Sequence, residues 1–309
     1  MLMVWRLFDG KPGHDRQSVG LVQALGTITP IESIPFDVRH QHASCAQFLT
    51  RQLGFGQDAP DPDLIVGAGR RCQWPMLASK RARGGNTIYL MKPQLPRRCF
   101  DLCLIPRHDQ ATTTARSIIT DGVLNDISPS EPKSNHGLLL IGGPSDHYGW
   151  DLDQLINQLR AILDGDGTKK WTIADSRRTP AATSAALQGL ARDNVSVIGY
   201  RESAPDVLPA ALAQADIVWV SCDSVSMIYE AISAGAAVGV LDVPAQRRDR
   251  ITAIIGDLVA RNMVTTFADW RNGGELHTGE LLAEAARCAR MILARWDPSS
   301  RRLRSEPVP

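Results

Sequence analysis

"ADIVWVSCDSVSMIYEAISAGAAVGVLDV", residues 215–243, is the stretch that decides the predicted fold. The apolar run over residues 216–221 is typical of a buried strand, and residues 224–234 are predicted to form a helix. Gly235 ends that helix, and a second apolar strand begins at Ala237. A strand, a helix and a second strand in this order predict a βαβ unit of a parallel sheet.

The same alternation of short apolar strands and helices recurs along both halves of the chain. A polar segment rich in Pro and Ser interrupts it, and a strand that ends in glycines, "GLLLIGG" (137–143), restarts it. The pattern predicts an α/β protein with two doubly wound, Rossmann-like domains that face a cleft. The terminal helix of the second domain could also pack back on the first domain. The predicted boundaries are an N-terminal domain over 1–124, a linker over 125–136, a C-terminal domain over 137–295 and a flexible tail over 296–309.

The composition is that of a globular protein and argues against two classes of partner. Of the 309 residues, 43% are hydrophobic and 22% are charged, so the chain can bury a sizeable core. The 34 Lys and Arg residues balance 33 Asp and Glu residues, and no global field attracts nucleic acid. No apolar run approaches the roughly 20 residues of a membrane-spanning helix, and the N-terminus shows no signal pattern. We therefore expect a cytoplasmic protein.

The cysteines and the C-terminal arginines carry further predictions. The six cysteines are scattered, and the spacing of Cys99 and Cys103 is not that of a zinc knuckle, so we expect buried or free thiols and no metal site. Four arginines near the C-terminus are expected to form a solvated basic end, with a peripheral contact to the inner membrane as the alternative. These arginines are Arg295, Arg301, Arg302 and Arg304. No residue pattern indicates an oligomeric state.

The N-terminal turn is the first candidate site. "DGKPGHDRQSVGLVQAL", which begins at Asp9, follows the apolar run over residues 3–8 and changes the period from that of a strand to that of a helix. In open α/β sheets, ligands bind at such turns, outside the carboxyl ends of strands. The alternative is an ordinary βα turn with a chance histidine. The glycines expected in loops that line the cleft are Gly10, Gly13, Gly67 and Gly69.

Two turns of the second domain are predicted to bind an anion. In "LLIGGPSDHYGWD", small residues let the backbone approach a ligand, and unpaired N–H groups over Gly142–Ser145 attract a phosphate. In "ADSRRTP", two arginines stand beside hydroxyls before a helix that Pro180 opens. The alternatives are a plain tight turn and a solvated basic turn. The candidate residues are Gly142, Gly143, Ser145, Tyr148, Ser176, Arg177, Arg178 and Thr179.

The opening βαβ stretch supplies the third part of this anion site. Asp223 or Ser224 can cap its helix, which leaves the Ser226 hydroxyl and the first backbone N–H groups facing the cleft. Glu230 follows Ser226 by four residues and therefore shares its helix face, where a carboxylate can accept both hydroxyls of a ribose. Met227 is expected to pack nearby. The alternative is that Glu230 faces solvent.

Six motifs occur in an order that is found in one family. They are "DGKPGH", "GAGRR" (67–71), "FDLCLIPRHD" (100–109), "IGGPS" (141–145), "DSRRTP" (175–180) and "DSVSMIYEA" (223–231). The chain resembles the bacterial-type members of the mitochondrial fission (elongated-mitochondria) family, which are described as GT-B glycosyltransferases. The resemblance implies a GT-B fold and catalysis without a metal or other cofactor. It further implies a nucleoside-diphosphate sugar in the C-terminal half and a hydroxyl acceptor, such as a cell-envelope glycan or lipid, in the N-terminal half.

Within this resemblance, His14 is the candidate general base on the acceptor hydroxyl, because the pKa of a histidine lies near working pH. The alternative is a structural histidine that is hydrogen-bonded within the turn. His108 and Asp109, at another strand end, form the second candidate base. Two positions depart from the family pattern, because Arg107 and Lys92 stand where acidic residues are expected. These departures put the acceptor side in doubt.

Other functions are typical of doubly wound proteins as well. A dehydrogenase fits poorly because Cys72 takes the place of the third glycine in "GAGRRC", and a serine hydrolase fits poorly because "GPSDH" lacks its second glycine. A nucleotide-sugar 2-epimerase shares the two-domain fold and the donor-side motifs, and it stays open. A catalytically silent GT-B-like adaptor in membrane or organelle morphology stays open too. Turnover of a nucleotide sugar separates both enzymes from the adaptor.

Overall fold

A computed structural model describes residues 1–40, 48, 51, 53–129, 135–202, 204, 207–247, 249 and 251–296. Cys45, residues 130–134 of the predicted linker and the predicted tail from residue 297 onward lie outside the described residues. The membrane contact predicted for that tail stays a prediction. The chain divides into two compact units, of which unit 1 is Met1–Asp126 with Ala283–Pro309 and unit 2 is Ile127–Leu282.

Unit 1 contains a parallel sheet whose six described strands have the order β2-β1-β3-β4-β5-β6. The order reverses between β1 and β3, which makes this pair the topological switch point of the sheet. The strands are β1 (Leu2–Phe8), β2 (Ile31–Asp37), β3 (Leu64–Ala68), β4 (Asn86–Leu90), β5 (Leu102–Pro106) and β6 (Ser117–Thr120). The helices labelled in unit 1 are α1 (Pro12–Gly26), α2 (Gln73–Arg83) and, at the end of the chain, α9 (Glu284–Arg295).

Unit 2 contains a second parallel sheet, whose six described strands have the order β12-β11-β10-β7-β8-β9. Its switch point lies between β7 and β10. The strands are β7 (His136–Leu140), β8 (Lys170–Ala174), β9 (Val195–Ile198), β10 (Ile217–Ser221), β11 (Ala237–Leu241) and β12 (Thr265–Thr266). The helices are α3 (Leu152–Gly165), α4 (Ala181–Gln188), α5 (Val207–Gln214), α6 (Val225–Ala234), α7 (Ala253–Ala260) and α8 (Phe267–Arg271). The predicted α/β class with two doubly wound sheets is confirmed.

The β10–α6–β11 unit follows the sequence pattern closely. Gly235 has a φ of +86°, in the left-handed region that favours glycine, and its N–H donates to the carbonyl of Ile232. That cap ends α6 at Ala234, and after two further residues the chain enters β11 at Ala237. Residues 237–241 of β11 are buried throughout, as expected of a parallel strand that is covered on both faces.

Helix α1 begins earlier than the apolar spacing of the sequence indicates. Pro12 occupies the start of the helix, where its missing N–H is not needed and its fixed φ is already helical. Leu21 and Leu25 form its buried face. Gly13 and His14 therefore lie in the first helical turn rather than in a loop that precedes it.

The terminal helix corrects the predicted domain boundary. Helix α9 lies in unit 1, not in the C-terminal domain, because its buried residues Cys288, Ala289 and Ile292 share one core cluster with Leu21 and Leu25 of α1. Polar contacts strengthen this placement, since the Arg287 guanidinium donates to the carbonyl of Ile119 at 2.8 Å. An amphipathic helix is held where its apolar face is covered.

The described cysteines are free thiols, as expected, and Cys99 alone among them is not buried. Burial raises the pKa of Cys103 to about 12, which keeps this thiol protonated at neutral pH. Among the described residues, no group of three or more His, Cys, Asp or Glu side chains is placed to hold a metal ion. In the same part of the chain, no helix reaches the length and apolarity of a membrane span.

Candidate functional site

The switch point of unit 1 contains a carboxylate–imidazole pair. Asp9 directly follows β1, and its side chain is 2% exposed. Both carboxylate oxygens of Asp9 lie 3.0 Å from Nδ1 of His14, and Oδ1 also accepts the N–H of Lys11 at 3.2 Å. When Nδ1 carries the proton, Nε2 is left as the accepting nitrogen of the ring. Nε2 forms no hydrogen bond with any described residue. The pair can therefore orient His14 as a general base.

Four glycines were predicted to line the cleft, and the structure gives them different surroundings. Gly69, with a φ of +87°, packs so closely against His14 and Asp9 that a Cβ would collide with both side chains. Gly10, with a φ of +74°, lies beneath the side chain of Arg39. Gly13 has open space around it.

Gly67 differs from the prediction because it is a packing residue of β3. A Cβ on Gly67 would meet the sulfur of Met76 at 2.8 Å and the Cβ of Cys72 at 3.1 Å, both of which are fully buried. Its small size lets α2 approach the strand. Packing in the core therefore explains why position 67 is a glycine.

His108 and Asp109 follow β5, at the same edge of the sheet as His14. Three strand spacings of about 4.8 Å separate β1 from β5, so the two candidate bases lie roughly 14 Å apart at their strand ends. The neighbouring cations are engaged locally: Lys92 Nζ donates to the carbonyl of Asp109 at 3.1 Å, and Arg107 Nε donates to Asp121 at 2.8 Å. The structure does not bring the two candidates together.

The glycine turn of unit 2 does not present the unpaired amides that were predicted. The N–H of Gly142 donates to Ser221 Oγ at 2.7 Å, and the N–H of Gly143 donates to Asp223 Oδ2 at 3.0 Å. The N–H of Ser145 closes a turn on the carbonyl of Tyr148 at 2.9 Å. The protein thus supplies its own acceptors to this turn. The prediction of unpaired amides is wrong, because Ser221 and Asp223, at the end of the neighbouring strand β10, place a hydroxyl and a carboxylate beside this turn.

Arg178 is bound to the same internal carboxylate. Its guanidinium donates to Asp223 Oδ2 and to the carbonyl of Gly143, at 2.7 Å each. The Asp223 side chain is 0% exposed, and its Oδ1 has no partner among the described residues. Arg178 therefore neutralises a buried charge, whereas Arg177 is exposed and forms no side-chain hydrogen bond with a described residue.

Ser176 and Thr179 form a closed turn beside Arg178. The Thr179 hydroxyl lies 3.1 Å from the Ser176 hydroxyl, accepts the N–H of Ser176 at 2.8 Å and donates to the carbonyl of Gly142 at 2.5 Å. Tyr148 is buried as well: burial raises the pKa of its phenol, as does the charge of the nearby Asp223. The hydroxyls of Ser176 and Thr179 therefore stabilise the turn by hydrogen bonds inside it.

The N-terminus of α6 keeps the exposed Ser226 and the open amides that were predicted, but not the predicted side-chain cap, because Asp223 binds Gly143 and Arg178 instead. Ser224 is the N-cap residue, but its side chain caps no amide. The N–H groups of Val225, Ser226 and Met227 have no acceptor in the described part of the chain, as is usual for a first helical turn. The Ser226 hydroxyl is exposed beside them.

Glu230 lies one turn further along α6 and is 5% exposed. The alternative in which Glu230 faces solvent is therefore wrong. Burial of a carboxylate is costly unless hydrogen bonds or charges stabilise it. Met227, in the first turn of α6, is half-buried.

The sequence interpretation missed two residue pairs. The first pair is Asp9 and His14. Its contact could have been predicted, because the two residues lie five positions apart across a strand-to-helix turn. The second pair is His147 and Asp249, whose Nδ1 and Oδ2 lie 2.6 Å apart although 102 residues separate them. Burial acts to raise the pKa of Asp249, but hydrogen bonds from Thr252, Ile251 and His147 hold it below its usual value. No local pattern indicates such a distant pair.

Similarity to known proteins identifies the family. A model of the mitochondrial fission ELM1 family matches residues 12–296. The chain belongs to this family. Mitochondrial fission protein ELM1 of Arabidopsis thaliana is 27% identical to it over 286 residues, which cover 79% of this chain and 65% of the plant protein. The ELM1-family chain thus spans about 65% of the length of that relative.

Solved structures share the fold of this ELM1-family chain. A protein of Listeria monocytogenes that is described as a UDP-N-acetylglucosamine 2-epimerase aligns over 97% of both chains, with a TM-score of 0.65 and 12% identity. Another UDP-N-acetylglucosamine 2-epimerase aligns over 97% of this chain and 89% of its own, with a TM-score of 0.51 and 13% identity. At these identities the likeness shows the fold alone, which is the two-domain fold of GT-B type.

Proposed function

We propose that this ELM1-family protein is a glycosyltransferase that moves a sugar from a nucleoside-diphosphate sugar to a hydroxyl acceptor. The observation that carries the proposal is the first turn of α6. Its three N–H groups, which have no acceptor among the described residues, and the exposed Ser226 stand one turn before the buried carboxylate of Glu230. An anion site and a diol acceptor at that spacing fit the diphosphate and the ribose of one nucleotide.

The proposed phosphate ligands are hydrogen-bond donors that the described residues do not already use. The amides of Gly142, Gly143 and Ser145 are engaged, so the α6 amides and Ser226 are the proposed diphosphate ligands. Arg177 would add a charge-assisted bond, while Arg178 holds Asp223. In this proposal, amides and a guanidinium stabilise the negative charge of the leaving diphosphate, which is the part that a metal would otherwise take.

The chemical step is assigned to His14. As the acceptor hydroxyl attacks the anomeric carbon of the sugar, Nε2 takes its proton, the bond to the diphosphate breaks, and the nucleoside diphosphate leaves with the bonding electrons. Asp9 holds the ring through Nδ1 and stabilises the imidazolium that forms. His108 and Asp109 have no assigned part in this step, because they follow β5, three strand spacings of about 4.8 Å away from β1.

A 2-epimerase is the second candidate, and the fold shared with two UDP-N-acetylglucosamine 2-epimerases favours it. The two activities differ in what they consume. A transferase requires an acceptor and releases the nucleoside diphosphate, whereas an epimerase changes the configuration at C2 of the sugar without an acceptor.

The test is to incubate the full chain with UDP-N-acetylglucosamine, with and without a panel of hydroxyl acceptors, and to follow both UDP release and the configuration at C2. Acceptor-dependent UDP release that is lost in His14→Ala supports the transferase. A changed C2 configuration without acceptor supports the epimerase and contradicts the transferase. Binding without either product supports a silent adaptor.

A further inference from the structure

Three cations follow the carboxyl ends of β1 and β3, next in the chain to residues of the Asp9–His14 site. Lys11 follows Asp9 by two residues, and Arg70 and Arg71 directly follow Gly69. The two strands are hydrogen-bonded neighbours, and Gly69 packs against His14. All three side chains are exposed, and no described carboxylate forms an ion pair with any of them.

Overall composition does not explain this local charge, since the net charge of the chain is +1. Three carboxylates at the carboxyl ends of the strands already bind other groups. Asp9 binds His14, and Asp121 binds Arg107. Asp37, the last residue of β2, binds Arg39 with both oxygens.

Two further charged groups lie in this part of unit 1. Asp15, in the first turn of α1, interacts with Arg6 on β1. Lys92, at the end of β4, donates to a backbone carbonyl and not to a carboxylate. The undescribed residues that follow β2, at positions 41–47, 49, 50 and 52, include no Asp or Glu that could neutralise the cations.

Cations that have no carboxylate partner in the described part of the chain, beside a proposed general base, indicate that the molecule which meets the base carries negative charge. Two arginines and a lysine suit the oxygens of a phosphate, which carry the negative charge that a neutral glycan hydroxyl lacks. A concentration of one sign of charge around a site also raises the local concentration of an oppositely charged substrate.

We propose that the acceptor carries a phosphate group close to its reactive hydroxyl, and that Lys11, Arg70 and Arg71 bind this phosphate while His14 takes the hydroxyl proton. This inference rests on the proposed function, because it names the acceptor class for the same base. The phosphate can belong to a soluble phosphosugar or to a lipid headgroup, and both present the same anion.

The sequence provides a matched control for the test. The tripeptide Arg-Arg-Cys forms a short helical turn twice, at Arg70–Cys72 after β3 and at Arg97–Cys99 before β5. The second turn therefore lies at the amino ends of the strands, whereas the first lies at their carboxyl ends. Arg70→Ala/Arg71→Ala and Arg97→Ala/Arg98→Ala remove the same charge from the two ends.

The experiment titrates inorganic pyrophosphate by calorimetry into the full chain that is saturated with UDP, so that the donor site is filled. We expect pyrophosphate to bind, with affinity at least tenfold lower in Arg70→Ala/Arg71→Ala and nearly unchanged in Arg97→Ala/Arg98→Ala. Equal affinity in the wild type and in Arg70→Ala/Arg71→Ala overturns the proposal, as does an equal loss in both double variants. Thermal unfolding of each variant verifies that it is folded.

A second arm distinguishes the source of the phosphate. The same proteins are sedimented with vesicles of phosphatidylglycerol or of phosphatidylcholine. Binding to phosphatidylglycerol that requires Arg70 and Arg71 assigns the site to a lipid headgroup, and pyrophosphate binding without sedimentation assigns it to a soluble phosphate. If UDP does not bind but pyrophosphate binding still depends on Arg70 and Arg71, the donor proposal fails while the anion site stands.

Discussion

Both carboxylate oxygens of Asp9 lie 3.0 Å from Nδ1 of His14. This contact fixes the side of the imidazole ring that is available to a substrate. The contact also makes His14, a residue of the first helical turn, a candidate general base. A hydrogen-bonded carboxylate stabilises the imidazolium that proton transfer produces.

The first prediction concerns this pair. His14→Ala is expected to lower UDP release by roughly 10²-fold or more, and Asp9→Asn by a similar factor, since general base catalysis supplies about 10²–10⁴. The double variant should lose little more than His14→Ala alone, because the two residues act as a unit. UDP affinity should stay near that of the wild type, and the exposed His277→Ala is the control. Loss of UDP binding together with stability would instead identify His14 as a structural residue.

Two glycines of unit 1 provide a second prediction. In Gly69→Ala the new methyl group would collide with His14 and Asp9, and a φ of +87° costs an L residue about 1–2 kcal/mol. We expect lower turnover and a lower Tm. Gly13→Ala meets no atom within 4 Å and should raise helix stability by up to about 1 kcal/mol. Full activity of Gly69→Ala would show that close packing on His14 is unimportant.

The neighbouring arginines of unit 2 are expected to behave differently. Arg178→Ala leaves the fully buried Asp223 carboxylate with the Gly143 amide as its remaining described donor, and should lower the free energy of unfolding by about 1–3 kcal/mol. Arg177→Ala should leave unfolding unchanged and weaken UDP binding by roughly tenfold, the loss of about one charged hydrogen bond. Urea unfolding and calorimetry measure the two effects. The same response from both variants would contradict the assignment.

The sequence was informative where a feature is local. Helical periodicity and Gly235 predicted β10–α6–β11, and the same stretch pointed to Ser226 and Glu230. It was uninformative where residues distant in the chain meet. Asp223 lies 80 residues from Gly143 and 45 from Arg178, so the sequence alone could not reveal that the glycine turn already binds an internal carboxylate. Helix α9 was assigned to the C-terminal domain, with packing on the first domain as the alternative, because a helical pattern does not specify which domain covers its apolar face; the structure confirms the alternative.

Acid stability supplies a fourth prediction. Burial acts to raise the pKa of Asp101, but hydrogen bonds from Lys80 and from the Thr87 amide and hydroxyl outweigh it, and the pKa lies below its usual value. A carboxyl whose pKa is lowered by folding stabilises the protein above its unfolded pKa of about 3.9, and this stabilisation is lost as pH falls through the folded pKa. The difference in unfolding free energy between wild type and Asp101→Asn should therefore shrink below about pH 4. A difference that is constant across this range would contradict the prediction.

The central claim is that α6 holds a nucleoside diphosphate, with Glu230 on the ribose. Glu230→Ala removes a charged acceptor from two hydroxyls, at roughly 1.5–3 kcal/mol for each bond, so affinity should fall by at least about tenfold. Glu230→Gln keeps the shape of the buried side chain and should show a smaller loss. The exposed Glu280→Ala is the matched control in the same unit and should bind as the wild type does.

Calorimetric titration of UDP into these four proteins, each verified as folded by its Tm, is the most direct test of the account. We predict the order of affinity wild type and Glu280→Ala, then Glu230→Gln, then Glu230→Ala, with at least a tenfold span. Equal affinity of folded Glu230→Ala and the wild type, or no binding of UDP to the wild type, would contradict the donor site and the glycosyltransferase proposal that depends on it.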